Sequence, residues 1–94
     1  MTKAAYKYRF REGTDLRDVE DTLLLALLAA EGVFSEARVR LDSAYRIDQE
    51  ARTATVDASI VVGQIVNGIF AAFAIREFGR DGFTVRRPGA EVPR

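Results

Sequence analysis

One segment of the chain restricts the possible folds more than any other. The stretch SIVVGQIVNGIFAAFAI, residues Ser59–Ile75, contains no charged side chain, although 30% of all residues in the chain are charged. On a helical wheel with about 100° per residue, one side of this segment forms an apolar stripe suited to a protein core. The stripe consists of Val62, Ile65, Val66, Ile69, Phe70 and Phe73. The segment therefore predicts a core helix whose outer side needs its own explanation.

The outer side of this helix lacks the Lys, Glu or Arg that a helix lying on a sheet normally presents to water. It consists of Ile60, Val61, Gln64, Gly68, Ala71, Ala72 and Ile75, with Gly63, Asn67 and Ala74 at its margin. A membrane span needs about 17–25 apolar residues. This segment is at the lower limit and has strands on both sides, so we expect no membrane contact. A two-layer domain of this length has no further layer for the outer side, which favours coverage by another polypeptide chain.

Length and composition limit the classes of function. The chain has 94 residues, enough for one domain, which we place at residues 1–94, with its core at about 5–87 and a frayed tail at 88–94. Lysine plus arginine number 14, as do aspartate plus glutamate, so the net charge is zero. Cysteine and histidine are absent, which excludes disulfides and removes the usual ligands of transition metals. We expect no enzyme activity, no cofactor, no signal peptide and a cytoplasmic location.

Alternating and helical patterns divide the chain into six elements. Period-two alternation predicts strands, and a period of 3.6 predicts helices. The predicted strands are Ala5–Arg11, Ala37–Ile47, Arg52–Ala58 and Phe83–Arg87, and the predicted helices are Leu16–Ala30 and Ile60–Phe78. The expected caps are Thr14 or Asp15 and Ser59 or Asp57 at the N-termini, and a left-handed Gly32 and Gly79 at the C-termini.

The order strand, helix, strand, strand, helix, strand resembles the ferredoxin-like split βαβ plait. That resemblance implies a two-layer α+β fold, with both helices on one face of a four-stranded antiparallel sheet. In this arrangement the first helix also leaves Leu24, Leu25 and Leu28 outside its inner stripe. We therefore predict a protein interface formed by these leucines and the outer side of the second helix. A homodimer is the simplest version, because it needs no second protein.

The outward positions of the predicted strands are strongly basic. The cations are Lys7, Arg9, Arg11, Arg38, Arg40, Arg46 and Arg86, against the acids Asp42 and Asp57. Such a face suits a phosphate backbone or an acidic protein. The alternative is a solvated face in which arginines of the second strand pair with Asp57. Because Tyr6, Tyr8 and Phe10 are expected to point inward, no base-stacking surface is predicted.

These surfaces lead to three functional hypotheses. The first is a non-catalytic interaction module that self-associates or docks on a protein partner through its apolar helical face. The second is a nucleic-acid-binding module that uses the basic sheet face. The third is a small accessory or inhibitor protein that binds a larger complex. The oligomeric state tests the first hypothesis, and salt-dependent binding of an oligonucleotide tests the second.

Overall fold

The computed structural model describes residues 4–87, which form a mixed α+β domain. Within this range, four strands form one open antiparallel sheet and three helices accompany it. The elements in chain order are β1 (Ala5–Phe10), α1 (Leu16–Glu31), α2 (Glu36–Asp42), β2 (Tyr45–Asp48), β3 (Thr53–Asp57), α3 (Val61–Phe78) and β4 (Phe83–Arg86). The predicted frayed tail, residues 88–94, lies outside the described residues.

Strand β1 lies inside the sheet, between β3 and β4. The strand order is β2-β3-β1-β4, and each neighbouring pair is antiparallel. Tyr8 pairs with Ala54 of β3, and Lys7 pairs with Thr55. Successive side chains of a strand point to opposite faces, so Tyr8 lies on the inner face and Lys7 on the outer face. The alternation predicted for the first strand is confirmed, since Tyr8 is buried and Lys7 is exposed.

The core lies between the inner face of the sheet and the helices. Its largest fully buried side chains are Tyr8, Phe70, Leu23, Val19, Val39, Val56, Val62 and Val66. The ring of Tyr8 meets Phe70 of α3 edge to face, with centroids 4.8 Å apart. Phe10 meets Phe78 in the same way at 5.4 Å. These contacts hold α3 across the middle of the sheet, because edge-to-face pairs add to the stabilisation from burial.

Helix α1 begins as predicted and ends differently. Its N-cap is Asp15, whose carboxylate accepts a hydrogen bond from the Arg17 amide at 2.9 Å. The prediction of a left-handed Gly32 is wrong, because this residue has a right-handed φ of −69°. Its amide donates to the carbonyl oxygens of Ala29 and Ala30, which closes the helix with a tight final turn.

The prediction of one strand over Ala37–Ile47 is wrong for its first part, which forms helix α2 before β2 begins. A strand would place Val39 and Leu41 on the same face, but Val39 is buried in the core and Leu41 is 83% exposed. The alternation of apolar residues in this segment is too short to separate a strand from two helical turns. Val39 is the one buried residue of α2, and the helix packs against α1 and α3.

Local interactions favour the helix over the strand in this segment. The Ser35 hydroxyl caps α2 by accepting a hydrogen bond from the Arg38 amide at 3.2 Å. Two ion pairs with i,i+4 spacing follow, Glu36–Arg40 at 2.7 Å and Arg38–Asp42 at 3.4 Å. The placement of Arg38 and Arg40 on the basic sheet face is therefore wrong, and they pair within their own helix rather than with an acid of β3.

Helix α3 starts later than predicted. Its N-cap is Ile60, which provides no side-chain hydrogen bond. The expected cap, Ser59, instead donates its amide to the Asp57 carboxylate at 2.8 Å, so this carboxylate orders the turn before the helix. At the other end, Gly79 closes the helix as predicted and has a φ of +83°, a conformation that favours glycine.

The buried side of α3 is rotated relative to the predicted stripe. Gly63, Asn67 and Ala74, expected at the margin, are buried, whereas Ile65, expected in the core, is 41% exposed. Gly63 permits the rotation, because a Cβ there would lie 2.1 Å from the Asp57 carbonyl oxygen. Only glycine allows the helix to approach the end of β3 this closely.

Candidate interaction surfaces

The outer side of α3 is apolar, small and uncharged over about three turns. We call it the α3 stripe, and its exposed members are Val61, Gln64, Ile65, Gly68 and Ala72. Of the other residues predicted for this interface, Ile60 is 48% exposed, and Ala71 and Ile75 are half-buried beside the stripe. A Cβ added at Gly68 would meet no atom within 4 Å, so the middle of the stripe is open. The stripe offers a flat surface on which another helix backbone can approach closely.

The three predicted leucines of α1 are also exposed. Leu24 is 43% exposed, Leu25 57% and Leu28 60%. Because α1 and α3 pack against each other, these leucines and the α3 stripe belong to one helical layer. Leu24 and Leu28 additionally line an apolar groove of about 540 Å³ between α1 and α2. Exposed apolar residues thus occur on both α1 and α3, and α1 also borders a groove that the sequence did not predict, because the groove depends on helix α2.

Among residues 4–87, one helix, α3, is long and apolar enough to cross a membrane by length and composition, with a mean hydropathy of 1.3. This is weak evidence for a span, because the core helix of a soluble protein meets the same criterion. Its inner side carries Val62, Val66 and Phe70, all within the domain core. Helix α3 thus has one side committed to the sheet and one side available for contact.

The outer face of the sheet, which we call the sheet face, carries most of the predicted cations. Strand register places two rows of side chains across it. These rows are Arg46, Thr55, Lys7 and Arg86, and next to it Asp48, Thr53, Arg9 and Thr84. Neighbouring strands lie about 4.8 Å apart, so one row brings three cations within reach of one another. The structure thus brings together four of the seven predicted cations.

A hollow of about 340 Å³ lies on the sheet face where β3, β1 and β4 meet. It is lined by Lys7, Arg9, Ala51, Thr53, Thr84, Val85 and Arg86. Arg11, also predicted for this face, follows β1 and lines a second concavity together with Arg80 and Asp81. The basic surface is therefore narrower than the sequence predicted, and it centres on Arg9, which lines both depressions.

Sequence reasoning missed Arg52, which lies just before β3 and connects this end of the strand to the loop before α1. Its guanidinium donates hydrogen bonds to the carbonyl oxygens of Phe10, Arg11 and Thr14, the last at 2.6 Å. Arg52 has a φ of +59°, which is unfavourable for a residue with a side chain. The three hydrogen bonds offset this strain, and nothing in the local pattern RTATVD distinguishes this arginine from a surface cation.

Comparison with protein-family models, with curated proteins and with solved structures finds no match to this chain.

A buried polar pair inside the core was also missed by sequence reasoning. The Tyr8 hydroxyl donates to Oδ1 of Asn67 at 2.5 Å, and the two residues are 1% and 8% exposed. Burial raises the pKa of the Tyr8 hydroxyl well above its usual value, with a smaller contribution from the nearby Tyr6. Tyr8 therefore stays protonated and acts as a fixed donor. This pair orients α3 on the sheet.

The ionisable residues form no cluster suited to metal binding in the part of the chain from residue 4 to residue 87. The carboxylate of Glu20 accepts a hydrogen bond from the Tyr45 hydroxyl at 2.9 Å. Burial raises the pKa of Tyr45, and this hydrogen bond makes a smaller contribution in the same direction. This contact joins α1 to β2 and has a structural role. The arrangement as a whole offers two contact surfaces, an apolar helical layer and a basic sheet face.

Proposed function

We propose that this protein is a non-catalytic interaction module that forms a homodimer through its helical layer. The observation that carries the proposal is the α3 stripe, where Val61 and Ile65 are exposed and no charged residue occurs between Ser59 and Ile75. Contiguous exposed apolar surface usually marks a site of interaction.

A second copy of the chain is the occupant that the surface chemistry favours. The stripe carries no charge, so it offers nothing to pair with a charged partner. In a two-fold symmetric dimer the same patch meets itself, and an uncharged stripe does so without repulsion. Gly68 and Ala72 let the two α3 helices approach closely, while Val61 and Ile65 supply the apolar area. A larger complex on which a monomer docks is the competing interpretation.

The exposed area limits the dimer to moderate strength at most. The six large apolar side chains concerned are 41% to 60% exposed; they are Leu24, Leu25, Leu28, Ile60, Val61 and Ile65. Covering the exposed part of each contributes about 1 kcal/mol, so two copies together gain about 12 kcal/mol. Association costs about 4–15 kcal/mol. At the lower end of that range about 8 kcal/mol remains, which corresponds to a dissociation constant of about 1 μM.

Sedimentation velocity over a range of micromolar concentrations tests this proposal. We expect a monomer–dimer equilibrium that Ala72→Glu shifts to monomer while the circular dichroism spectrum stays native. The matched control is Ala51→Glu, which places the same charge in the exposed turn between β2 and β3, and it should dimerise normally. A wild-type chain that stays monomeric at about 100 μM, roughly a hundred times the expected dissociation constant, contradicts the homodimer.

The sheet face supports a second candidate function, binding of a nucleic-acid backbone. The supporting observation is the row that contains Arg46, Lys7 and Arg86 across three strands. The outward strand positions carry no aromatic side chain within residues 4–87, so binding would be independent of base sequence. A single-stranded oligonucleotide should then bind more weakly as salt rises, and Arg9→Glu should abolish binding. Absence of binding at low salt removes this candidate.

We further propose that the fold is a ferredoxin-like plait with one added helix, α2, and that the protein acts in the cytoplasm. The central positions of β1 and β3, with β4 beside β1, support the plait. A crystal structure with both long helices on the inner face and right-handed crossovers is the expected result. A left-handed crossover would contradict it.

A further inference from the structure

We infer that Asn67 is a modification site, at which the side-chain amide is converted to a carboxylate, and that the folded core keeps this site closed. Asn67 is the one asparagine in the sequence, and a glycine follows it. Deamidation of asparagine uses the backbone nitrogen of the next residue, and glycine leaves that nitrogen unhindered because it has no side chain. The inference goes beyond the proposed dimer and does not depend on it, because the reaction occurs within one chain.

The reaction needs only Asn67, Gly68 and water. The backbone nitrogen of Gly68 attacks Cγ of Asn67, so an N–Cγ bond forms, the Cγ–Nδ2 bond breaks, and ammonia leaves with the proton of the Gly68 amide. Water then opens the resulting cyclic imide. Cleavage of the N–Cγ bond gives aspartate, whereas cleavage of the original peptide bond gives isoaspartate, in which the main chain runs through Cβ and Cγ.

Helix α3 holds both reacting groups in unsuitable positions. Asn67 lies in the interior of this helix, which runs from Val61 to Phe78, so fraying of the helix ends does not release it. Every Cα–Cβ bond in a helix tilts toward the N-terminus, which carries the side chain of Asn67 away from the following amide. The Gly68 amide is itself occupied, because in an α-helix it donates to the carbonyl oxygen four residues earlier.

The core adds a second restraint on Asn67. Its Oδ1 accepts a hydrogen bond from the Tyr8 hydroxyl at 2.5 Å, and the residue is only 8% exposed. The side chain cannot turn toward Gly68 without breaking this bond. The reaction therefore requires α3 to leave the sheet and unwind, so its rate follows the fraction of unfolded chains. That fraction is about 10⁻³ or lower for a typical folded protein.

Modification of Asn67 should make unfolding irreversible. A carboxylate in place of the amide brings a charge into the core, and burial of a charge is costly. Isoaspartate lengthens the main chain inside α3, which disrupts the regular hydrogen bonding of the helix. An unfolded chain therefore either refolds before the reaction occurs or loses the ability to refold.

The test follows deamidation of the full chain in native buffer and in guanidinium chloride above its unfolding midpoint. The protein is kept at one low concentration, because dimerisation would add protection. Trypsin then releases the peptide of residues 53–76, and mass spectrometry measures the converted fraction of Asn67. We expect steady conversion in denaturant and a native rate lower by at least about a thousandfold. Comparable rates in both states overturn the closed site, and absence of conversion in denaturant overturns the modification site.

Gly68→Ala is the matched variant for the same experiment. Its added methyl group meets no atom within 4 Å, so the fold should be kept, but the methyl group hinders attack by the backbone nitrogen. Conversion in denaturant should be several-fold slower than in the wild type, and equal rates contradict the role of Gly68. After dilution from denaturant, the wild-type fraction that regains the native circular dichroism spectrum should fall in step with conversion, while Gly68→Ala continues to refold. Full refolding of converted chains contradicts the irreversible step.

Discussion

Replacing Gly63 with alanine should displace the start of helix α3. The added Cβ would lie 2.1 Å from the Asp57 carbonyl oxygen, whereas ordinary contacts begin at 3.4 Å. The helix or the end of β3 must therefore move by more than 1 Å, and the obstacle is backbone rather than a flexible side chain. Overpacking of this kind costs about 1–3 kcal/mol. Because alanine itself favours a helix by about 0.5–1 kcal/mol, we expect a net loss of about 1 kcal/mol.

Gly68→Ala is the matched control within the same helix. The new methyl group at Gly68 meets no atom within 4 Å, so only the gain in helix propensity of about 0.5–1 kcal/mol remains. In a domain of this size each kcal/mol changes Tm by roughly 4–8 °C. Thermal unfolding followed by circular dichroism should therefore show a Tm lowered by about 4–8 °C for Gly63→Ala and raised by a few degrees for Gly68→Ala.

Both measurements should be made at two protein concentrations, because dimerisation stabilises the fold by mass action. Gly68 lies in the α3 stripe, so its variant also affects the dimer. If Gly63→Ala unfolds at or above the wild-type Tm at low concentration, the close approach of α3 to β3 is wrong. The rotation of α3, and therefore the assignment of residues to the α3 stripe, would then be incorrect.

Three further predictions concern Arg52 and the buried tyrosine. Arg52→Ala should lower the free energy of unfolding in urea by about 2 kcal/mol, since it removes hydrogen bonds from a charged donor; an unchanged midpoint would contradict the anchoring role. Arg52→Gly should be less destabilising than Arg52→Ala, because glycine adopts the φ of +59° without strain; the reverse order would contradict that reasoning. Burial raises the pKa of Tyr8 from its usual 10.0, so the protonated form is favoured in the folded state. Stability is therefore retained below about pH 10 and lost as the pH rises above it, and Tyr8→Phe should make the urea midpoint less sensitive to alkaline pH; an equally steep loss in the variant would count against this.

The sequence correctly predicted strands in which large apolar residues alternate with charged residues. In β1, aromatic residues such as Tyr8 alternate with cations such as Lys7, and only one assignment of faces avoids burying charge. The cap of α1 was also predictable, because Asp15 precedes a long helical pattern. In α2 the alternation of apolar and charged residues is less pronounced and does not distinguish a strand from a helix. The capping hydroxyl of Ser35 and the i,i+4 ion pairs stabilise a helix there.

The rotation of α3 was not predictable from a helical wheel. Asn67 is polar and was placed at the outer margin, but it is buried because its side chain accepts a hydrogen bond from Tyr8, a residue 59 positions away in the chain. Gly63 is buried because of its close approach to Asp57. Both causes are contacts between distant segments, and hydrophobic periodicity does not contain them. The outer members Val61, Gly68 and Ala72 were nevertheless predicted, because they lie opposite the core for either rotation.

On the sheet face, too, the sequence predicted features that depend on one strand and missed those that depend on the pairing of distant strands. Lys7, Arg9 and Arg86 were predicted to share a face from the alternation of their own strands. Their convergence on one hollow with Thr53 follows from the register between strands, which the sequence does not specify. Arg38 and Arg40 were excluded from this face only once α2 was known.

The most direct test of the account is the accessibility of the α3 stripe in solution. Methyl signals of Val61 and Ile65 can be followed by NMR with a soluble paramagnetic agent, below and above about 1 μM, the expected dissociation constant. Leu41, which is 83% exposed on α2, serves as an internal control that stays accessible. We predict that Val61 and Ile65 become protected as concentration rises while Leu41 does not. Equal accessibility of all three at every concentration would show that no second copy covers the stripe.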